Sequence, residues 1–217
     1  MSDVSEAVAD FLRRAGAGST KLAAKYLASG LKEDPTAIPL AAALITHEKP
    51  AVREGACRAF ALLAETHPSL VTPYTDHLLQ GTQVEESGTR EAALEALALI
   101  TPYTPDAVAS HVNTLGAVLK EARRPQLREQ AAKVLGYCGS GDPARAHAAS
   151  EPLVQALHHN PRDKQARQIL AAMHQIARGP VMPEDRERMA AVVNPLRGHP
   201  DIQVRERAGQ LYRLLQG

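Results

Sequence analysis

The sequence predicts an all-α fold, a right-handed α-α superhelix (a solenoid) of about six stacked helix pairs. Three observations predict it. An Arg followed by small or apolar residues three, seven and ten positions later recurs along the chain. The copies are Arg53 with Ala56, Phe60 and Leu63; Arg90 with Ala93, Leu97 and Ile100; Arg128 with Ala131, Leu135 and Cys138; and Arg205 with Ala208, Tyr212 and Leu215. A weaker copy starts at Ala166, without the Arg, and continues through Ile169, Met173 and Ile176. The starts are spaced by 37, 38, 38 and 39 residues, and so steady a period marks a helical repeat array. Second, the apolar residues recur at helical spacing, and no stretch alternates apolar and polar over strand length. Third, Trp is absent and only five Tyr and two Phe are present. The core is therefore built from Ala, Leu, Val and Ile, whose small side chains let helices approach closely.

Residues 1–33 form a divergent first pair that caps the open end of the stack. Val4, Val8, Phe11 and Leu12 share one helical face, with Ser2 or Asp3 as cap. Residues 16–18 break that helix, and Ser19 caps the next, which carries Leu22, Tyr26, Leu27 and Leu31. The order Gly18, Ser19, Thr20, Lys21 lies between two helices and lacks the Gly-Lys-Ser/Thr order of a phosphate loop. The second pair, 34–67, has a first helix near 35–46, a turn at 47–50 and a second helix over 51–65. Pro50 sits where its missing N–H costs little. The third pair, 68–104, has a first helix near 69–80 containing Pro73, then a long loop over 81–88 with Glu85 and Glu86. In the fourth pair, 105–141, a helix over 105–122 turns at Arg123, Arg124 and Pro125 into a second helix ending near Tyr137. Residues 139–143, Gly-Ser-Gly-Asp-Pro, are a breaker. The fifth pair, 142–180, runs through His159, turns at Asn160, Pro161 and Arg162, and ends at Gly179 and Pro180. The sixth, 181–217, turns at Arg197, Gly198, His199 and Pro200.

The net charge is +1, which argues against a whole-molecule basic field. Residues 1–110 hold 9 basic and 14 acidic side chains, whereas residues 111–217 hold 16 and 10. Cys57 and Cys138 both fall at small or apolar repeat positions. They read as buried thiols of a reducing, cytoplasmic compartment. The N-terminus lacks a basic segment followed by an apolar run, so no signal peptide is expected. No apolar run approaches ~18 residues, so no membrane span is expected.

The pairs Val52-Arg53, Leu127-Arg128 and Val204-Arg205, with Thr89-Arg90 as a variant, open second helices, and Pro50, Pro125, Pro161 and Pro200 mark turns. In these features the chain resembles the HEAT-repeat family of armadillo-type α-solenoids, over essentially its whole length. The resemblance implies a non-enzymatic scaffold or adaptor that presents a concave helical face, or its ridge of loops, to a protein partner. It says little about which partner. Enzymes of this build include DNA alkyl-purine glycosylases, which use aromatic residues that this chain mostly lacks, and bilin lyases, whose repeats are usually shorter.

Arg53, Arg90, Arg128 and Arg205 are each followed by Glu, so stacking predicts a charge ladder between neighbouring repeats. The sharper candidate for function is the ridge of inter-helix turns in the C-terminal half. It carries Arg123, Arg124, His158, His159, Arg162, Arg197 and His199, an edge suited to an acidic protein. The alternative reading gives the same edge to nucleic-acid phosphates, although stacking aromatics are scarce. Adjacent His158 and His159 do not make metal-ligand spacing, no local nucleophile motif is present, and no cofactor is expected.

Overall fold

Among the residues the structure describes, 4–16, 20–159 and 166–217, every regular element is helical. The structure, a computed structural model, divides into two compact units, Met1–Thr104 and Pro105–Gly217. The division coincides with the expected boundary between the third and fourth pairs.

In the first unit, α1 (Val4–Gly16) precedes α2 (Thr20–Glu33), α4 (Pro50–Thr66) follows α3 (Ile38–Ala43), and α7 (Ser87–Ile100) follows α5 (Pro68–Val71) and α6 (Thr75–Gly81). The second helices α2, α4 and α7 pack side by side as one layer. Side chains that recur at the repeat spacing fill the space between layers: Ala56, Phe60, Leu63, Ala93, Leu97 and Ile100 are all buried. Phe60 meets Tyr74 edge-on, with ring centroids 5.8 Å apart. Gly55 has a packing reason, because a Cβ there would lie 2.8 Å from the Phe11 ring of α1.

The first helices of this unit depart from expectation. Residues 35–46 are not one helix but α3 flanked by single 3₁₀ turns, Pro35–Ala37 and Leu44–Thr46. Asp34 caps the first of these turns, accepting from the Thr36 amide at 3.0 Å. Residues 69–80 likewise split into α5, a 3₁₀ turn Thr72–Tyr74 and α6. Prolines account for both breaks. Pro39 and Pro73 lack an N–H and crowd the preceding turn, so each is accommodated at the start of a short segment.

The second unit holds α8 (Pro105–Ala109), α9 (Val112–Glu121), α10 (Pro125–Cys138), α11 (Pro143–His159), α12 (Ala166–Ala177), α13 (Pro183–Val193) and α14 (Ile202–Gln216). A 3₁₀ turn, Asn194–Gly198, extends α13. Here α10, α12 and α14 form one layer, and α9, α11 and α13 the other. The expected helix over 105–122 breaks at Ser110 and His111 with no proline; the His111 amide closes a tight turn onto the Val108 carbonyl at 2.9 Å. Conversely, α11 continues through Pro152. Facing it on α9 is Gly116, where a Cβ would lie 2.9 Å from the proline ring.

The expected punctuation holds at several ends. Pro50 and Pro125 open α4 and α10. Asp201 caps α14, accepting from the amides of Gln203 at 2.8 Å and Val204 at 3.1 Å. The turn after α10 needs Gly141 at φ +84°, a left-handed conformation that glycine adopts without a Cβ clash. The expected turn at 160–162 lies outside the described residues.

Candidate partner-binding surfaces

The repeated Arg builds turns before it builds any surface. Arg53 donates from Nη1 to the backbone carbonyls of His47 (2.7 Å) and Glu48 (3.0 Å), in the turn just before its own helix. Arg205 does the same to His199 at 2.9 Å. In both turns the histidine Nδ1 accepts an amide two residues on, from Lys49 at 3.1 Å and from Asp201 at 3.0 Å. Repeat position and preceding turn are thus one unit, Arg closing the loop that delivers the chain to its helix. The expected Arg-to-Glu ladder is not what these two arginines make. Arg53 pairs across to Glu86 at 2.5 Å, while Glu54 pairs within its own helix with Arg58 at 2.9 Å.

The residues expected on the C-terminal ridge are placed unequally. Arg123 and Arg124 are exposed in the turn between α9 and α10. His158 and His159 are exposed at the end of α11, their rings edge-to-face with centroids 5.9 Å apart. The His159 Nδ1 lies 2.7 Å from the Gln155 carbonyl, and the residue borders a cleft of about 470 Å³ with Lys120 and Glu151. Arg197 is exposed but committed locally: it donates to Asn194 Oδ1 at 2.8 Å and lies over the Tyr212 ring at 4.5 Å. His199 is buried, 9 % exposed, because its ring is folded into the turn that Arg205 closes. Arg162 lies outside the described residues.

Two groupings escaped the sequence reading. The first is a polar knot between α11 and α13. Asp185, 1 % exposed, holds Arg188 and faces His147 Nδ1 at 3.0 Å. Arg188 continues to Ser150 Oγ at 3.1 Å and Glu151 at 2.5 Å. His147 and Asp185 are 38 residues apart, as are Ser150 and Arg188, so the repeat period itself was the signal. The knot satisfies a buried carboxylate and ties neighbouring first helices. Among the described residues no group of three or more His, Cys, Asp or Glu side chains is arranged to hold a metal ion.

The second grouping lies on the outward stripe of α10, α12 and α14. Gln126, Glu129 and Lys133 are exposed along α10. Arg167, Ala171, His174 and Gln175 follow along α12, continued by exposed Arg178, and Gln203, Arg207 and Gln210 are exposed along α14. Burial, then the positive charges of Arg178 and Arg207, hold the His174 imidazole below the ordinary histidine value. Arg167 reaches Gln203 across the α12–α14 seam. Between α10 and α12 the backbones come unusually close, since a Cβ on Gly136 would lie 2.8 Å from the Ala172 Cα. The three helices carry six Lys and Arg against two Glu.

No family model and no curated protein matches the sequence. Solved structures do match the fold. A crystal structure of an engineered protein covers 100 % of this chain and 97 % of its own, at 22 % identity and a TM-score of 0.78. A designed armadillo repeat protein in complex with the peptide (KR)4 covers 87 % and 85 %, at 17 % identity and a TM-score of 0.74. The crystal structure of Uso1-2 covers 88 % of this chain with 34 % of its own length, at 11 % identity and a TM-score of 0.71. The chain therefore has a HEAT/armadillo-type all-α repeat fold.

Proposed function

We propose that this protein is a non-enzymatic scaffold that binds an acidic protein partner through the C-terminal unit. The observation that supports the reading is how side chains are used there. Stacking consumes the apolar residues, as in Leu127, Leu135, Leu153, Ile176 and Leu211, all buried. Cations are left exposed on the turns and second helices, with Arg123 and Arg124 at the α9–α10 turn. An α-solenoid surface of this kind recognises extended chains in the designed armadillo protein, whose bound peptide is basic. Here the exposed charge has the opposite sign, which calls for an acidic partner.

Capture of partners on immobilised protein, with and without nuclease, tests the reading. A defined protein that survives nuclease and is lost with Arg123→Glu plus Arg124→Glu is the expected result. Capture that vanishes with nuclease, or that ignores the charge reversal, overturns it in favour of nucleic acid or of a different surface respectively.

A further inference from the structure

We propose that the outer face of the α10, α12 and α14 layer is a docking site for an extended Asp/Glu-rich segment of a partner protein, whose acidic side chains fall about three residues apart. The inference rests on the scaffold reading and names a surface separate from the turn edge.

Charge and spacing carry it. Among the described residues Lys133, Arg178 and Arg207 make no ion pair, whereas Arg145, Arg188 and Arg58 each do. Cations left without a carboxylate, in a chain that pairs so many others, are available to one supplied from outside. They stand on three successive helices of one layer, or directly after one in the case of Arg178. Helices in contact lie about 8–10 Å apart. An extended chain rises about 3.3 Å per residue, so a strand crossing the helices meets a new one roughly every third residue. His174 lies between Arg178 and Arg207 in charge terms, half-buried, and offers a ring nitrogen to a carboxylate at the middle of the track. Close approach at Gly136 and Ala172 keeps the α10–α12 part of the face shallow, which suits a thin extended strand. The occupant that fits is a peptide and not a nucleic acid. Tyr137 is the one aromatic residue along α10 and α12, and single-strand binders stack bases on aromatics.

Fluorescence anisotropy of a labelled peptide with Glu at every third position and Ser and Gly between tests the site directly. Wild-type protein is expected to bind it saturably, and more tightly than a peptide of the same composition with contiguous Glu. Arg178→Glu with Arg207→Glu should weaken binding at least tenfold, Lys133→Glu by a smaller factor, and Arg123→Glu with Arg124→Glu hardly at all. Circular dichroism checks each fold, and the Arg178→Gln, Arg207→Gln pair replaces the charge reversal if that variant does not fold. No saturable binding by wild type up to about 1 mM peptide overturns the proposal. So does equal binding by the Arg178 and Arg207 variant. A single-stranded oligonucleotide that binds more tightly than the peptide, and is lost with the same pair, also overturns it. The Arg123 and Arg124 variant keeps the two readings separable, because it should abolish partner capture while leaving peptide binding intact.

Discussion

Cys57 is fully buried on α4, and burial, reinforced by the Glu54 charge, pushes its thiol up to about 12. Burial likewise raises Cys138 to about 11. In the unfolded chain both thiols ionise near the usual ~8.5. The folded state therefore keeps a proton that the unfolded state loses. That stabilisation is fully present below about pH 8.5 and is lost as pH rises towards the folded values. Native protein at about pH 8 should resist a thiol-labelling reagent, and denaturant should expose both cysteines; a native thiol that labels at the unfolded rate contradicts the burial. His174 works in the opposite range. Its folded value is depressed, so the unfolded chain takes up a proton first as pH falls below about 6.5, and stability drops there. His174→Gln should lose less Tm than wild type between about pH 8 and pH 5.5, with no difference at the upper end. At this scale the periodic arginines were legible and their partners were not. Arg53 and Arg205 bond to carbonyls six residues back, which depends on a turn conformation that side-chain identity does not encode.

The helices of the second layer were readable because their apolar residues repeat with the array, and the first helices were less so. Pro39 and Pro73 split two of them, whereas Pro152 does not split α11. The difference lies across the interface, where Gly116 leaves room for the Pro152 ring. A long-range accommodation of this kind has no local signal. Gly136 and Gly209 make the same point quantitatively. Both lie inside second helices, where Ala in place of Gly gains about 1 kcal/mol of helix propensity. At Gly209 a Cβ meets nothing within 4 Å, so Gly209→Ala should stabilise by up to about 1 kcal/mol. At Gly136 the added Cβ would press on the Ala172 backbone, and overpacking of that kind costs about 1–3 kcal/mol. Gly136→Ala should therefore be destabilising on balance, lowering Tm by a few degrees (about 2–4 °C per kcal/mol for a chain of this size). Denaturant melts of the two variants side by side check the pair of signs.

Charge is distributed unevenly over the whole molecule, with the excess of cations in residues 111–217, and this too was legible from composition. What composition could not give was which cations the fold consumes. Arg145 is spent on Asp106 and on the Cys138 carbonyl, Arg188 on Asp185 and Glu151, and Arg197 on Asn194 and Tyr212. Only tertiary contacts separate these from Lys133, Arg178 and Arg207. The separation leads to a prediction about salt. The core is apolar and the surface ion pairs are worth about 0–1 kcal/mol each, so ionic strength should barely move Tm. An acidic peptide held by three or four exposed cations has no comparable apolar reserve, and charges on the surface are screened over a Debye length of about 10 Å at 0.1 M salt. Raising salt from about 50 to 300 mM should therefore weaken peptide binding by roughly an order of magnitude, while Tm stays within a few degrees. Anisotropy titrations and thermal melts over one salt series measure both. A binding curve indifferent to salt would point to apolar anchoring instead, and a Tm that fell with it would mean that these cations hold the fold together, with no margin left for a partner.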